Sequence, residues 1–385
     1  MPESKPKTVA NMLNQPTKES RILIDARMVS LREHGISRYV TSIAEALLSL
    51  MRSEGLTYTP IFILDSEMKP RDHAMWSNHE TVTSSVKFLN PTEWLEIPRL
   101  IKRTRASAFH SPSFASFPVM PVPYLQTVHD LIHLHYGNRF QKIYYQLLLK
   151  SSVQNANQVA TVSRAARAEI SAWAGIDEEA IQLHYNSFEP LESSAEAKNA
   201  EREWLESNGL LPRSYYLAIA NEKPHKNLNM LRKVIPTATD FPLIVAHEFL
   251  RSVDRDRKVP FSISALIRNA RAVLSPSLIE GFGRVPVEAV LLGAPVLASD
   301  IPSHREIFER SNAAVVRLIN PVDPDAWVRA IREFELEDSM PFSKSLADEI
   351  SKRYSATALG RQIDSSYRRL LYLPSGASQD FEGGS

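Results

Sequence analysis

The chain of 385 residues is longer than one hydrophobic core ordinarily sustains, so two domains are expected. Its 45 Lys+Arg against 44 Asp+Glu leave a net charge of +1, which offers no footprint for a nucleic-acid partner. The absence of cysteine excludes disulfides and thiolate metal sites and fits a reducing, cytoplasmic compartment. No run of about 18 apolar residues marks a membrane span. Residues 1–20 are polar and lack a signal-peptide core. They read as a disordered lead-in, and 374–385 as a disordered tail.

From there, short apolar runs alternate with helical patterns. Strands are expected at 21–26 (RILIDA), 60–64 (PIFIL), 124–128 (YLQTV) and 159–163 (VATVS), with helices over 37–51 and 140–155. A polar, Glu-rich segment at 186–209 reads as a link between domains. The pattern then restarts with strands at 215–220 (YYLAIA), 242–247 (PLIVAH), 272–277 (AVLSPS), 295–300 (PVLASD) and 313–318 (AAVVRL), and a helix over 286–292. Apolar strands separated by helices imply α/β domains with parallel sheets covered on both faces. The expected domains are 21–190 and 205–355, and a last helix at 356–371 is expected to pack back onto the first. Ligands of such sheets bind at the carboxyl ends of the strands, in the cleft between the domains.

The densest chemical signal is SPSLIEGFGRVPVEAVLLGAPVLASD, residues 275–300. A strand ends near Ser277, a tight loop holds Glu280, Gly281, Phe282 and Gly283, and a helix starts near Pro286. Amides at a helix start make an anion site, and glycines let a phosphate come close. Glu280 on the loop and Glu288 in the helix would flank that phosphate, and each can accept hydrogen bonds from hydroxyls. A ligand with hydroxyls at both ends of a diphosphate, a nucleotide sugar, suits that arrangement.

This stretch resembles the E-x7-E signature of retaining glycosyltransferases of family 4, which have the GT-B fold: two Rossmann-like domains with parallel sheets facing across a cleft. Arg284 and Val285 stand where the family usually has Leu-Pro. Residues 215–228 (YYLAIANEKPHKNL) resemble the family's first strand of the second domain and its Lys-Asn loop. By that resemblance Lys226 grips the donor diphosphate. Ala220 and Asn221 stand where an earlier arginine is usual, with Lys223 and His225 close by. Residues 35–39 (GISRY) resemble the glycine-rich turn GIGRY, which places Gly35 and Ser37 by the diphosphate. Residues 127–131 (TVHDL) resemble THDL and set His129 against the donor sugar, and 161–163 (TVS) resemble a strand beside the cleft. Ser303-His304-Arg305-Glu306 falls at the family's Pro-Glu position, where Glu306 reads as structural.

The resemblance implies a catalytic set of His129, Lys226 and Glu280. It implies a donor site of Gly35, Ser37, Asn221, Lys226, Glu280, Gly281, Phe282, Gly283, Arg284, Val285 and Glu288. No metal or other cofactor is implied. The expected donor is GDP-mannose, with a UDP-hexose as the alternative. The expected acceptor is a lipid-linked oligosaccharide or another saccharide used in surface polysaccharide synthesis, met at the inner membrane face. The basic stretch 99–105 (RLIKRTR), preceded by Trp94, Leu95 and Ile97, reads either as a contact with an anionic membrane or as a solvated helix face. A non-catalytic nucleotide-sugar-binding relative, a nucleotide-sugar hydrolase and an epimerase remain as alternatives.

Two other groupings point elsewhere. His129, His133 and His135 would share one face of a strand by period two, yet their one nearby carboxylate, Asp130, would lie on the other face, so a metal site is not expected. Asp254-Arg-Asp256 is a D-x-D inside a charge run with no strand before it, and reads as a solvated loop. No G-x-S-x-G elbow or P-loop is present.

Overall fold

The computed structural model describes residues 20–29, 35–68, 74–188, 194–254, 262–309, 316–337 and 343–372. The expected tail, nearly all of the lead-in, Asp256 and residues 313–315 lie outside them. Seven strands form the first sheet: β1 (Arg21–Asp25), β2 (Thr59–Asp65), β3 (Glu80–Ser84), β4 (Ala108–Ser111), β5 (Tyr124–Thr127), β6 (Gln158–Thr161) and β7 (Ile181–Leu183). Five form the second: β8 (Tyr216–Ala218), β9 (Leu243–Val245), β10 (Ala272–Ser275), β11 (Val296–Ser299) and β12 (Val316–Ile319). The orders are β3-β2-β1-β4-β5-β6-β7 and β12-β11-β10-β8-β9. Every pairing is parallel. Each order reverses direction beside the domain's first strand, which is where open α/β sheets leave a crevice for ligand.

Strand alternation explains the layers. Ile22 and Ile24 of β1 enter one apolar cluster and Leu23 enters another on the opposite face; Leu217 and Tyr216 of β8 divide likewise. The cluster holding Ile22 continues through Phe188, Tyr354 and Phe282 to Val273 of β10, so one core runs between the domains. The helix Ala356–Leu371 lies against the helix Gly35–Ser53 of the first domain. Gly360 makes that approach close: a Cβ there would sit 3.0 Å from the Ala46 carbonyl oxygen. Two buried polar pairs secure the same helix, His110 Nδ1 to Tyr367 Oη at 2.7 Å and His184 Nε2 to Ser366 Oγ at 2.8 Å. Burial holds the His184 imidazole down at about 3, so it stays neutral.

Four local expectations change. The edge strand β3 (ETVTS) is mostly exposed, and β4 (AFHS) and β7 (IQL) are too short and polar to show as apolar runs. The run 242–247 stops being a strand at Val245, because a helix, Ala246–Val253, begins there. The polar segment 186–209 is largely a helix, Ala195–Ser207. Its Glu201 is buried and accepts from Arg268 Nε at 3.0 Å, which ties the helix to the second domain. The histidines after His129 do not continue a strand; His133 and His135 sit on a short helix, Ile132–Tyr136.

At the carboxyl end of β1 lies a buried ionic cluster. Arg27 donates to Asp25 through Nε and Nη2, at 2.8 and 2.7 Å, and to Glu93 Oε2 at 3.0 Å. Burial pushes the Glu93 carboxyl up to about 7, against the pull of Arg27 and with a further push from Asp25. Glu93 therefore holds its proton more tightly in the folded chain than its ordinary value of 4.5 allows. Its contribution to stability is present in acid and falls as pH rises from about 4.5 to about 7. The melting temperature of Glu93→Gln relative to wild type should therefore climb across that window. A difference flat in pH would remove Glu93 as the titrating group.

Candidate active site

A cleft of about 350 Å³ opens between the carboxyl ends of the two sheets. One wall comes from the first domain, with Gly35, Ile36, Arg38, His129 and Asp130. The other comes from the second, with Lys226 and the run from Glu280 to Val285, followed by Glu288.

The second wall is built on the turn after β10. Lys226 ends a short 3-10 turn, Pro224–Lys226, and its Nζ lies 2.6 Å from Glu280 Oε1. Ser277 Oγ donates to the same oxygen at 2.6 Å. Burial alone would raise the Glu280 carboxyl, but the Lys226 cation and the Lys226 and Ser277 hydrogen bonds outweigh it, so the group lies below its usual value and is ionised. Gly283 has φ +102°, and a Cβ there would lie 2.6 Å from Cδ2 of His304, so only glycine fits without a shift. His304 is fully buried and its Nδ1 donates to the Ser299 carbonyl at 2.8 Å. The helix starts at Arg284, two residues before the expected Pro286, and runs to Leu291. Its first residues, Arg284 and Val285, line the cleft, and a helix start there can serve an anion. Phe282 packs edge-on against Tyr354 at 5.1 Å. Arg284 lies over the Phe188 ring at 4.5 Å.

Glu288 carries the link across the cleft. Its Oε1 accepts from Arg38 Nη1 of the first domain at 2.8 Å and from Arg284 Nη2 at 3.3 Å. His129 sits opposite, with Nε2 donating to the Pro112 carbonyl at 2.9 Å and its ring edge-on to Tyr39 at 4.7 Å. Gly281 touches the first domain directly: a Cβ there would lie 2.3 Å from the His129 carbonyl oxygen. Ser163 caps the helix Arg164–Ala174 and donates to the Gly281 carbonyl at 2.5 Å.

Two expected residues are not brought into this group. Ser37 is buried in its helix, and Asn221 is exposed in a turn, its Oδ1 accepting from Lys223 N at 3.2 Å. Neither is among the residues lining the cleft. His225 is buried and packs on Tyr136 at 5.7 Å. His135 pairs with Glu169 at 2.9 Å, and His133 packs on Tyr145. Asp254, read as solvated, is buried at the end of its helix. Glu222, His247 and Glu248 come close enough to hold an ion, and there Arg232 bonds both carboxylates as their cation. Reading by motif missed Arg38, Asp130 and His304. Arg38 had a signal in its spacing, three residues after Gly35 and thus one turn along the same helix.

Residues 34–190 match the family model described as Glycosyltransferase Family 4, and residues 243–353 match the one described as Glycosyl transferases group 1. Both halves of the chain thus match glycosyltransferase families. It is 31% identical over 228 residues to the O-antigen chain mannosyltransferase RfbU of Salmonella typhimurium, an alignment covering 54% of this chain and 60% of that protein. It is 25% identical over 312 residues to the serotype-specific mannosyltransferase WbdA of Escherichia coli, covering 71% of this chain and 37% of that one. The chain thus spans well under two thirds of the length of these curated relatives. Among solved structures, HepE of Anabaena in complex with UDP and glucose has a TM-score of 0.65 at 14% identity, covering 91% of this chain and all of that one. WaaG, a glycosyltransferase involved in lipopolysaccharide biosynthesis, has a TM-score of 0.63 at 13% identity, covering 90% and 99%. These likenesses establish the GT-B fold.

Two of the cleft glycines should behave differently on substitution. Gly283→Ala adds a strained φ and a clash with His304, on the order of 1–3 kcal/mol, and should lower the melting temperature by several degrees. Gly35 has open space around its Cβ position, so Gly35→Ala should melt like wild type. Differential scanning calorimetry of the two variants checks both.

Proposed function

We propose that this chain is a retaining, metal-independent glycosyltransferase that moves a hexose from a nucleotide sugar to a lipid-linked or saccharide acceptor in surface polysaccharide synthesis. The observation that carries the reading is the pairing at the second wall: an ionised Glu280 and Glu288 on either side of a glycine turn and an open helix start, with Lys226 beside them. The family matches support the reaction class, and the mannosyltransferases RfbU and WbdA support mannose, hence GDP-mannose as donor.

In this reading Glu280 holds hexose hydroxyls and Glu288 the ribose, while Lys226 and the amides after Gly283 take the diphosphate. The acceptor oxygen attacks the anomeric carbon on the face from which the phosphate departs. The bond from that carbon to the phosphate oxygen breaks, and the leaving phosphate takes the acceptor's proton. No covalent enzyme intermediate forms. The protein contributes position and electrostatic relief of the leaving group. His129 stands on the first domain's wall, where it would meet the hexose and the acceptor hydroxyl.

A membrane contact fits the first domain. Of the thirteen large apolar side chains exposed among the described residues, eight fall between Leu89 and Leu147. Phe140, Ile143 and Leu147 follow helical spacing. Trp94 donates to the Ser116 carbonyl at 2.8 Å and Tyr144 to Ser116 Oγ at 3.1 Å, so both helices meet at one loop. Residues 97–150 carry seven Lys+Arg and one acidic residue, Asp130. Apolar side chains among basic ones suit an anionic bilayer surface. Wild type should float with phosphatidylglycerol vesicles and stay behind with phosphatidylcholine ones, and Phe140→Ser with Leu147→Ser should abolish flotation. Equal behaviour on both lipids would leave a solvated face.

The function itself is tested by thermal shift with GDP, UDP, ADP, GDP-mannose and UDP-glucose, with and without EDTA. Ligands that bind only the native state raise its melting temperature. A shift with GDP and GDP-mannose that ignores EDTA is expected. A shift with UDP ligands instead would move the donor to a UDP-hexose, and no shift at all would sink the donor site. Glu280→Ala should lose more turnover than nucleotide affinity. Unchanged turnover would remove Glu280 from its role, and donor turnover without an acceptor would favour a hydrolase or epimerase.

A further inference from the structure

Among the described residues, Arg38 is the one arginine that the first domain contributes to the lining of the cleft. It lies in the first turn of the 19-residue helix Gly35–Ser53, whose N-terminus opens into the same cavity. Its Nη1 is 2.8 Å from Glu288 Oε1, across the domain boundary. The Glu288 side chain is 13% exposed and that of Arg38 37%, so Glu288 is the more enclosed of the two.

The proposed donor role gives these two residues conflicting tasks. If Glu288 accepts hydrogen bonds from ribose hydroxyls, it must share or surrender Arg38, the nearer of the two arginines that now hold it. Arg38 then stands at the edge of a cleft that has just received a diphosphate. Its planar fork of donors matches phosphate oxygens, and it keeps its charge at any working pH. Its own helix start lines the same cleft through Gly35 and Ile36, and a helix N-terminus favours an anion.

Resting on that reading, we propose that Arg38 is a donor-diphosphate ligand supplied by the opposite domain, and that its bond to Glu288 is its resting position. On donor binding the arginine exchanges a carboxylate for a phosphate, and Glu288 exchanges an arginine for ribose. The exchange keeps a cross-cleft bond in both states, now routed through the ligand. Diphosphate is thereby read by both domains, Lys226 on one side and Arg38 on the other.

The experiment is calorimetric titration of wild type, Arg38→Gln and Arg38→Lys with GDP and UDP, each beside its monophosphate. Melting curves without ligand check that the variants fold. For whichever nucleotide wild type binds, Arg38→Gln should weaken the diphosphate about ten- to a hundredfold and the monophosphate far less. Arg38→Lys should recover part of the loss, since it keeps the charge and loses the fork. If Arg38 merely orients Glu288, both nucleotides weaken by the same factor, and the proposal fails. If Arg38 merely blocks Glu288, both bind more tightly without it, and the proposal fails again. Failure of wild type to bind any of the four would overturn the donor site itself, an outcome distinct from these.

Discussion

One carboxylate holds the two domains in register. Glu306, on the second domain, accepts from the backbone amides of Arg164 and Ala165 at 3.0 and 3.1 Å and from the Tyr185 hydroxyl at 3.0 Å. Those amides open the helix Arg164–Ala174 of the first domain, where a negative charge is favoured by the helix dipole and by unfilled donors. Ser163 completes the joint from the same helix start by donating to Gly281. The glycine turn after β10 is therefore fixed against the first domain by groups outside the cleft. The positions of Glu280, Gly283 and the helix behind them follow from that joint. The cleft inherits its width from it.

Within the cleft the charges are paired across short distances. Lys226 holds Glu280, and Arg38 with Arg284 holds Glu288. Buried carboxylates need such partners, because desolvation without them costs several kcal/mol per ion. The same pairing explains how a site for an anion can also hold two acids. When hydroxyl groups reach the carboxylates, the cations are left facing the middle of the ligand. Groups already held in place by the fold need little reorganisation as charge develops on a leaving phosphate.

The second domain was more legible in the sequence than the first. Its strands are apolar and separated by glycines and prolines, and the run 275–300 announces strand, turn, helix and strand in order. The residues it names, from Glu280 to Glu288, do line one wall. Legibility failed where tertiary context overrides local pattern. β4 carries a buried His110 that reads as polar until Tyr367 and Thr127 are seen to bond it. Glu201 reads as part of a polar link and is buried against Arg268, and Glu306 reads as structural without its partners at 164 and 165 being visible in the pattern. Asn221 and Ser37 were placed by motif position alone. Asn221 is spent in its own turn and Ser37 faces its own domain, neither of which a linear pattern distinguishes from a cleft position.

That asymmetry has a physical cause. Donor recognition asks for a turn that a phosphate can approach and for acids at fixed spacing, and local backbone geometry constrains both within about a dozen residues. The membrane contact proposed for the first domain rests instead on surface side chains near Trp94 and Tyr144, which are joined through Ser116. Loops and surfaces tolerate change that a glycine turn does not. The first domain's contribution to the cleft is therefore written in residues far apart in sequence, Arg38 and His129, which meet only once its sheet has formed. The chemistry common to the family can be read along one stretch of chain, while the choice of acceptor depends on a surface that exists only in three dimensions.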